Sequence, residues 1–253
     1  MRTLRCVTML LLSAIPVPAL AGGLIQKLPK DGAWVKFYMD FRLDSVALVK
    51  NTGSFTIRSV GTESRDETKL RWIEFEESHG KSENGFRAYG LLDKYLVPES
   101  ELVGEGNPLS KLVQRWHRFD TDKPLKSTGP ASRGLKMIHL PSVTKGMKSE
   151  SRKVVQIKKA RTFPYQQGEF ECKSATRETY DFTEKFDGIT ITFRSRVTFT
   201  LWKHDAVPFG VAGAIIEFQR YDAKGKKLLM KQTFDLSVSD FGTNAKSALP
   251  GRK

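Results

Sequence analysis

The chain has 253 residues, with 42 Lys and Arg against 28 Asp and Glu, a formal net charge of +14. That length suits one large β domain or two small ones, and the basic excess favours anionic surfaces such as lipid headgroups, acidic glycans or nucleic acid without choosing among them. Of the two cysteines only Cys172 lies beyond the first 21 residues, so once those are removed no internal disulfide is available and the domain must be held by its core.

The first residues read as a secretory signal. Arg2 and Arg5 precede the apolar run Val7 to Ile15, and Ala19-Leu20-Ala21 offers small residues where a signal peptidase cuts. The run is too short to cross ~30 Å of hydrocarbon and is broken by Pro16 and Pro18. Cleavage after Ala21 is expected, leaving a basic periplasmic or secreted protein.

From Val35 to Leu43 apolar residues alternate with Lys36, Tyr38, Asp40 and Arg42, the period of a half-buried strand. Asn51-Thr52-Gly53 has turn chemistry, Phe55 and Ile57 open a second strand, and Lys69 to Glu76 makes a third, completing an antiparallel meander. Phe86 to Leu102 reads as a strand or short helix. After it, Asn107 can cap a helix, Pro108 fits its first position, and Leu109, Leu112, Val113 and Trp116 recur at helical spacing, which predicts an amphipathic helix of about three turns.

Residues 120–151 are rich in Pro, Gly, Ser and Lys and read as an irregular segment. Strands resume near 153–157, 170–173 and 179–182. The clearest pattern follows: Ile189 to Leu201 alternates with Thr and Arg, and Phe209 to Tyr221 carries Ala212, Ala214, Ile216 and Phe218 on one face. Together they predict a long antiparallel hairpin. Leu228, Met230, Phe234 and Leu236 form a last strand, and 242–253 read as a flexible basic tail. The expected domains are thus a signal peptide at 1–21, a single β-rich domain at 22–241 and the tail.

The chemistry-bearing residues do not gather. His79, His117, His139 and His204 show no short metal-ligand spacing; His117 reads as a surface or helix C-terminal residue. Glu74, Glu76 and Glu77 read as a solvated strand edge, Cys172 as a small packing residue of a strand, and no phosphate loop or nucleophile elbow is present. No catalytic residue, metal or cofactor is assigned, and an enzyme is not expected. The basic runs Lys145 to Lys153 and Lys158 to Arg161 read as solvated loops, with no specific nucleic-acid site.

The remaining signal is apolar. Phe37, Met39, Phe41, Phe193, Phe199, Ile216, Phe218, Met230 and Phe234 would share one sheet face, with Leu112 and Trp116 on the helix above it. Such a face can close as a packed core or line a cavity for an apolar ligand. The expected fold class is α+β, mainly antiparallel: a strongly curved sheet or unclosed β-barrel with one or two helices against its concave face.

An exported chain with an N-terminal meander, a leucine-rich helix and long C-terminal hairpins, together with Trp72-Ile73-Glu74-Phe75 and Val207-Pro208-Phe209-Gly210, resembles the LolA-like bacterial envelope carriers of lipids and lipoproteins. Residues 120–151 have no counterpart in that pattern. The resemblance implies an unclosed β-barrel with a helical lid and a noncovalent carrier that shelters acyl chains. The expected ligand is a lipid or other apolar molecule held by a monomer, with an anionic membrane surface or a lipoprotein as further partners. The alternative is an envelope scaffold or interaction protein whose closed core presents charge to anionic surfaces or polymers.

Overall fold

The period-two patterns become strands in the computed structural model, which describes residues 24–44, 49–80, 89–103, 112–119, 122–127, 151–185 and 192–249. In chain order they are β1 Trp34–Asp44, β2 Val49–Arg65, β3 Thr68–His79, β4 Tyr89–Pro98, β5 Gln114–Phe119, β6 Leu125–Ser127, β7 Ser151–Ile157, β8 Arg161–Tyr165, β9 Gly168–Cys172, β10 Ala175–Lys185, β11 Thr192–Lys203, β12 Val211–Tyr221 and β13 Leu228–Gly242. The expected residues 1–21, Ile189 and Ile191 lie outside the described residues, as does most of the irregular segment at 120–151.

Eleven strands form one curved, unclosed sheet in the order β6-β5-β4-β3-β2-β1-β13-β12-β11-β10-β7. The chain therefore meanders outward from β1 to β6, resumes at the opposite edge with β7, and meanders back until β13 pairs with β1. The first and last strands lie together at the centre, while among the described residues the mid-chain strands β6 and β7 are the two edges. Every pairing is antiparallel. The β2–β3 hairpin turns on Asp66 and Glu67, both at positive φ, the left-handed geometry a tight two-residue turn requires.

Alternation on β1 and β13 decides which face is inward. Val35, Phe37, Met39, Phe41 and Leu43 are buried while Lys36, Tyr38, Asp40 and Arg42 are exposed. Phe41, Phe234, Ile216 and Phe199 follow one another across β1, β13, β12 and β11, and a second row runs Met39, Leu236, Ala214, Leu201. One end of this concave core is sealed by Leu24 and Ile25 with Val207, Phe209 and Leu102, all buried in the same cluster. Across the sheet there, Arg71 donates to Glu99 Oε1 at 2.8 Å, Pro29 O at 2.7 Å and Ser59 Oγ at 2.9 Å.

The hairpin β8–β9 packs on the outer side. Phe163 lies against Gly213 and its ring faces Trp202 at 5.6 Å, while Arg161 donates to Asp235 at 2.8 Å. A Cβ on Gly213 would stand 2.0 Å from the Phe163 ring, so only glycine admits the hairpin. Trp202, which donates to Lys159 O at 2.8 Å, is thereby fully buried on a face that would otherwise be wet.

The expected helices are a correction. Among the described residues the only regular helix beyond the single helical residue at Leu24 is a 3-10 turn, Glu99–Glu101. Asn107, Pro108 and Leu109 lie outside them, but the second half of the expected helix is extended: Val113 N donates to Leu96 O, and Gln114 to Phe119 pair with β4. Helical spacing at Leu112, Val113 and Trp116 was outweighed by sheet pairing and by the partners of Arg115 and His117, which need alternate positions on one face. Of Phe86 to Leu102, expected as strand or short helix, Tyr89–Pro98 is strand β4 and Glu99–Glu101 is the 3-10 turn.

The tail also differs from expectation. Residues 243–249 run back over the sheet: Trp34 Nε1 donates to Asn244, Ala245 N to Gly32 O, and Ser247 Oγ to Glu74 Oε2 at 2.7 Å. Leu249 is buried. Its polar residues found a specific acceptor, which composition alone does not reveal.

Candidate functional site

Register places two kinds of surface on the concave face. On β1 and β11–β13 it is mainly apolar, with Ser195, Arg220 and Gln232 as its buried polar members. On β3–β5 the inward positions carry charge: Glu77 and His79 on β3, Asp93 and Tyr95 on β4, and Arg115 and His117 on β5. Asp93 stands directly between Phe75 and His117, and Tyr95 between Ile73 and Arg115.

Asp93 organises the polar set. Its Oδ1 accepts from His117 Nδ1 at 2.8 Å and from Arg115 Nε at 3.1 Å and Nη2 at 2.7 Å. Burial alone would raise the Asp93 carboxyl, but the His117 hydrogen bond and the Arg115 charge outweigh it and hold it below its ordinary value. Burial, and then the Asp93 charge, push the Tyr95 phenol well above its usual range, so it stays a neutral hydroxyl. The Arg115 guanidinium also lies 5.4 Å from the centre of the Tyr95 ring. On β3, His79 Nε2 bonds Glu77 Oε1, and the His79 ring meets Phe41 edge-on at 6.2 Å, so the charged and apolar halves touch there.

The Asp93–His117 contact resembles an acid–base dyad, in which a carboxylate orients imidazole. Here one carboxylate oxygen serves both His117 and Arg115, so the carboxylate is shared with a guanidinium and not reserved for orienting an imidazole. Cys172, on β9, is 5 % exposed and its Sγ faces Lys203 O at 3.7 Å. Burial raises its thiol, the opposite of what a nucleophilic cysteine needs.

The apolar site residues named from sequence fall in three places. Phe37, Met39, Phe41, Phe199, Ile216, Phe218, Met230 and Phe234 join one buried cluster, and Leu112 packs against its margin. Their exposures run from 0 % at Phe37 and Ile216 to 8 % at Phe41. Phe193 is half-buried, with the Arg220 guanidinium 5.3 Å from its ring centre. Trp116 is a correction: it pairs in register with Lys94 on the outer face and packs with Leu70, Trp72 and Leu96, away from the concave core.

The acidic residues of β3 also differ from the solvated edge expected. Glu76 and Glu77 do point to opposite faces, but Glu74 is fully buried on the outer side, where Arg58 and the backbone N–H groups of Ala248 and Leu249 meet its carboxylate. The histidines were missed for the same reason. His117, 3 % exposed, was placed on a helix, whereas Arg115-Trp116-His117 read as a strand puts both basic residues on Asp93's face.

Among the described residues, exposed large apolar side chains on the concave side lie at the two sheet edges, β5–β6 and β7. Phe119 and Leu125, in register with Leu91 and His117, are 38 % and 57 % exposed, and Val154 of β7, in register with Glu178, is 48 % exposed. The chain matches no protein-family model, and comparison with curated proteins gives no significant match.

Proposed function

We propose that the protein is a noncatalytic carrier that takes an amphipathic, lipid-like ligand past the sheet edges β6 and β7 and shelters its chain on the concave face. The observation that carries this reading is the pair of sheet edges, β6 and β7 among the described residues, whose inward apolar side chains, Phe119, Leu125 and Val154, are exposed at the margins of a concave apolar face. An edge strand can shift to admit a ligand while the strands of the sheet interior keep their partners. The apolar residues Phe41, Phe199, Phe218, Met230 and Phe234 would receive the chain, and Arg115, His117 and His79 offer cationic or donor groups to a polar head. The LolA-like likeness belongs to this proposal, with the open sheet edges in place of the helical lid. Export to the periplasm or beyond belongs to it as well.

Native mass spectrometry of the purified protein, before and after organic extraction, tests it. A released adduct of lipid mass, or uptake of a fluorescent fatty acid that Leu125→Lys and Val154→Lys abolish without lowering thermal stability, is the expected result. A bare mass with no uptake would sink the carrier reading.

A second reading is favoured by one observation, the near-complete burial of Phe37, Met39, Ile216 and Phe218. Side chains with almost no accessible surface already fill one another's contacts. On that reading the core is closed and the protein is a scaffold that works through its charged exterior.

A further inference from the structure

We infer that the β12–β13 hairpin tip is a docking site for an anionic lipid bilayer. This inference stands apart from the carrier reading, since it uses none of the concave residues.

The tip runs from Tyr221 to Leu229, and its turn is fixed from within. Asp222 N donates to Lys227 O and Gly225 N to Asp222 O, while Asp222 Oδ1 accepts from Lys226 N at 2.8 Å and Lys227 N at 3.3 Å. Gly225 supplies the positive φ of 71° that the reversal needs. On this frame Lys224, Lys226 and Lys227 are all exposed. Directly after them Leu228 is 47 % exposed and Leu229 is 39 % exposed. Leu228 lies in register with Tyr221, which in turn neighbours Arg194, and Gly225 sits against the Arg194 side chain, so a fourth basic group joins the patch.

Two features together select the partner. Lysines alone would suit any anion, but adjacent leucines held out beside them gain nothing from a soluble anion. A bilayer offers both chemistries at the right depths, with anionic phosphates at the surface and hydrocarbon a few ångströms below. Leu28 and Leu125 are also exposed between lysines, Lys27 and Lys30 or Lys123 and Lys126, but each stands as a single exposed leucine, whereas the tip sets two adjacent leucines directly after Lys226 and Lys227. Because the turn is already fixed by Asp222, little ordering accompanies insertion. The tip also lies at the end of the sheet opposite the one sealed by Leu24, Ile25 and Phe209.

The test is flotation of the purified protein with vesicles of equal phosphatidylglycerol and phosphatidylcholine, against vesicles of phosphatidylcholine alone. The protein should float with the anionic vesicles and not with the neutral ones. Lys226→Glu/Lys227→Glu should lower the vesicle-binding constant by about 25-fold or more, since each basic residue at such a surface contributes about fivefold, and Leu228→Ser/Leu229→Ser should lower it by about tenfold or more through the lost apolar burial. Lys173→Glu/Lys203→Glu makes the same charge change at exposed positions near the opposite end of the sheet and should float as the wild type does. All variants keep the same N-terminal residues, so a difference belongs to the substituted sites, and thermal melts show whether each is folded. Wild-type protein that stays unbound, tip variants that float unchanged, or a control pair that loses as much as the tip pair would each overturn the inference.

Discussion

The two halves of the sheet share one topology and treat charge in opposite ways. On β1 and β13 the alternation is nearly strict: the inward residues are buried and the outward ones meet solvent. On β3 six successive residues from Leu70 to Phe75 are buried, because the outer face is covered too, by Trp72, Leu96 and Trp116 and by the returning 244–249 segment. Where both faces are covered, a charged residue has no outward escape and must find a partner. Asp93, His117, Arg115, Glu74 and Glu77 are the result.

The sharpest way to break this contrast is Asp93→Ala. It leaves Arg115 and His117 buried without their shared acceptor, and should cost about 3–5 kcal/mol in urea unfolding. Loss below about 1 kcal/mol would mean that the polar half is solvated and not a buried network. The same group sets an acid response. Its pKa is lowered on folding, so its contribution is fully present above the ordinary value of 3.8 and is lost as pH falls through the lower folded value. Urea midpoints of the wild type should therefore fall as pH is taken below about 4, while Asp93→Asn shows a flatter profile over that window.

The apolar half should respond through volume. Phe234 is 7 % exposed and meets Phe41 at 4.9 Å between ring centres. Phe234→Ala should cost about 3 kcal/mol by urea unfolding, without any pH signature between 3 and 6. A cost under about 1 kcal/mol would point to a core loose enough to refill, which the carrier proposal would welcome.

These halves were unequally legible. The hairpin of β11 and β12 could be read from Arg194, Ser195, Arg196 and Val197 because one face is wet there, and period two survives in the sequence. Asp93 and His117 could not be paired from sequence, since 24 positions separate them and only the β4–β5 register brings them together. Trp116 was misplaced because apolar residues at Leu112, Val113 and Trp116 serve two different faces of an extended chain, which imitates a helical stripe. Trp116→Ala tests that placement with a smaller effect. It should cost about 1–2 kcal/mol, as half-buried aromatic area does, and should leave ligand uptake unchanged because the ring is on the outer face. Reduced uptake in a fully folded variant would contradict that face assignment.

The smallest expected effect is the most useful control on the argument about charge. Arg196 Nε donates to Asp181 Oδ1 at 2.7 Å, a contact as short as the one between Arg115 and Asp93. The two pairs differ in surroundings: the Arg196 and Asp181 side chains are 47 % and 36 % exposed, against 16 % and 2 % for Arg115 and Asp93. Water can replace the surface partner and salt screens it, so Arg196→Ala should change stability by less than about 1 kcal/mol. If Arg196→Ala proved as costly as Asp93→Ala, burial would not be what distinguishes the halves, and the polar face of β3–β5 would lose its claim to be a separate, enclosed environment.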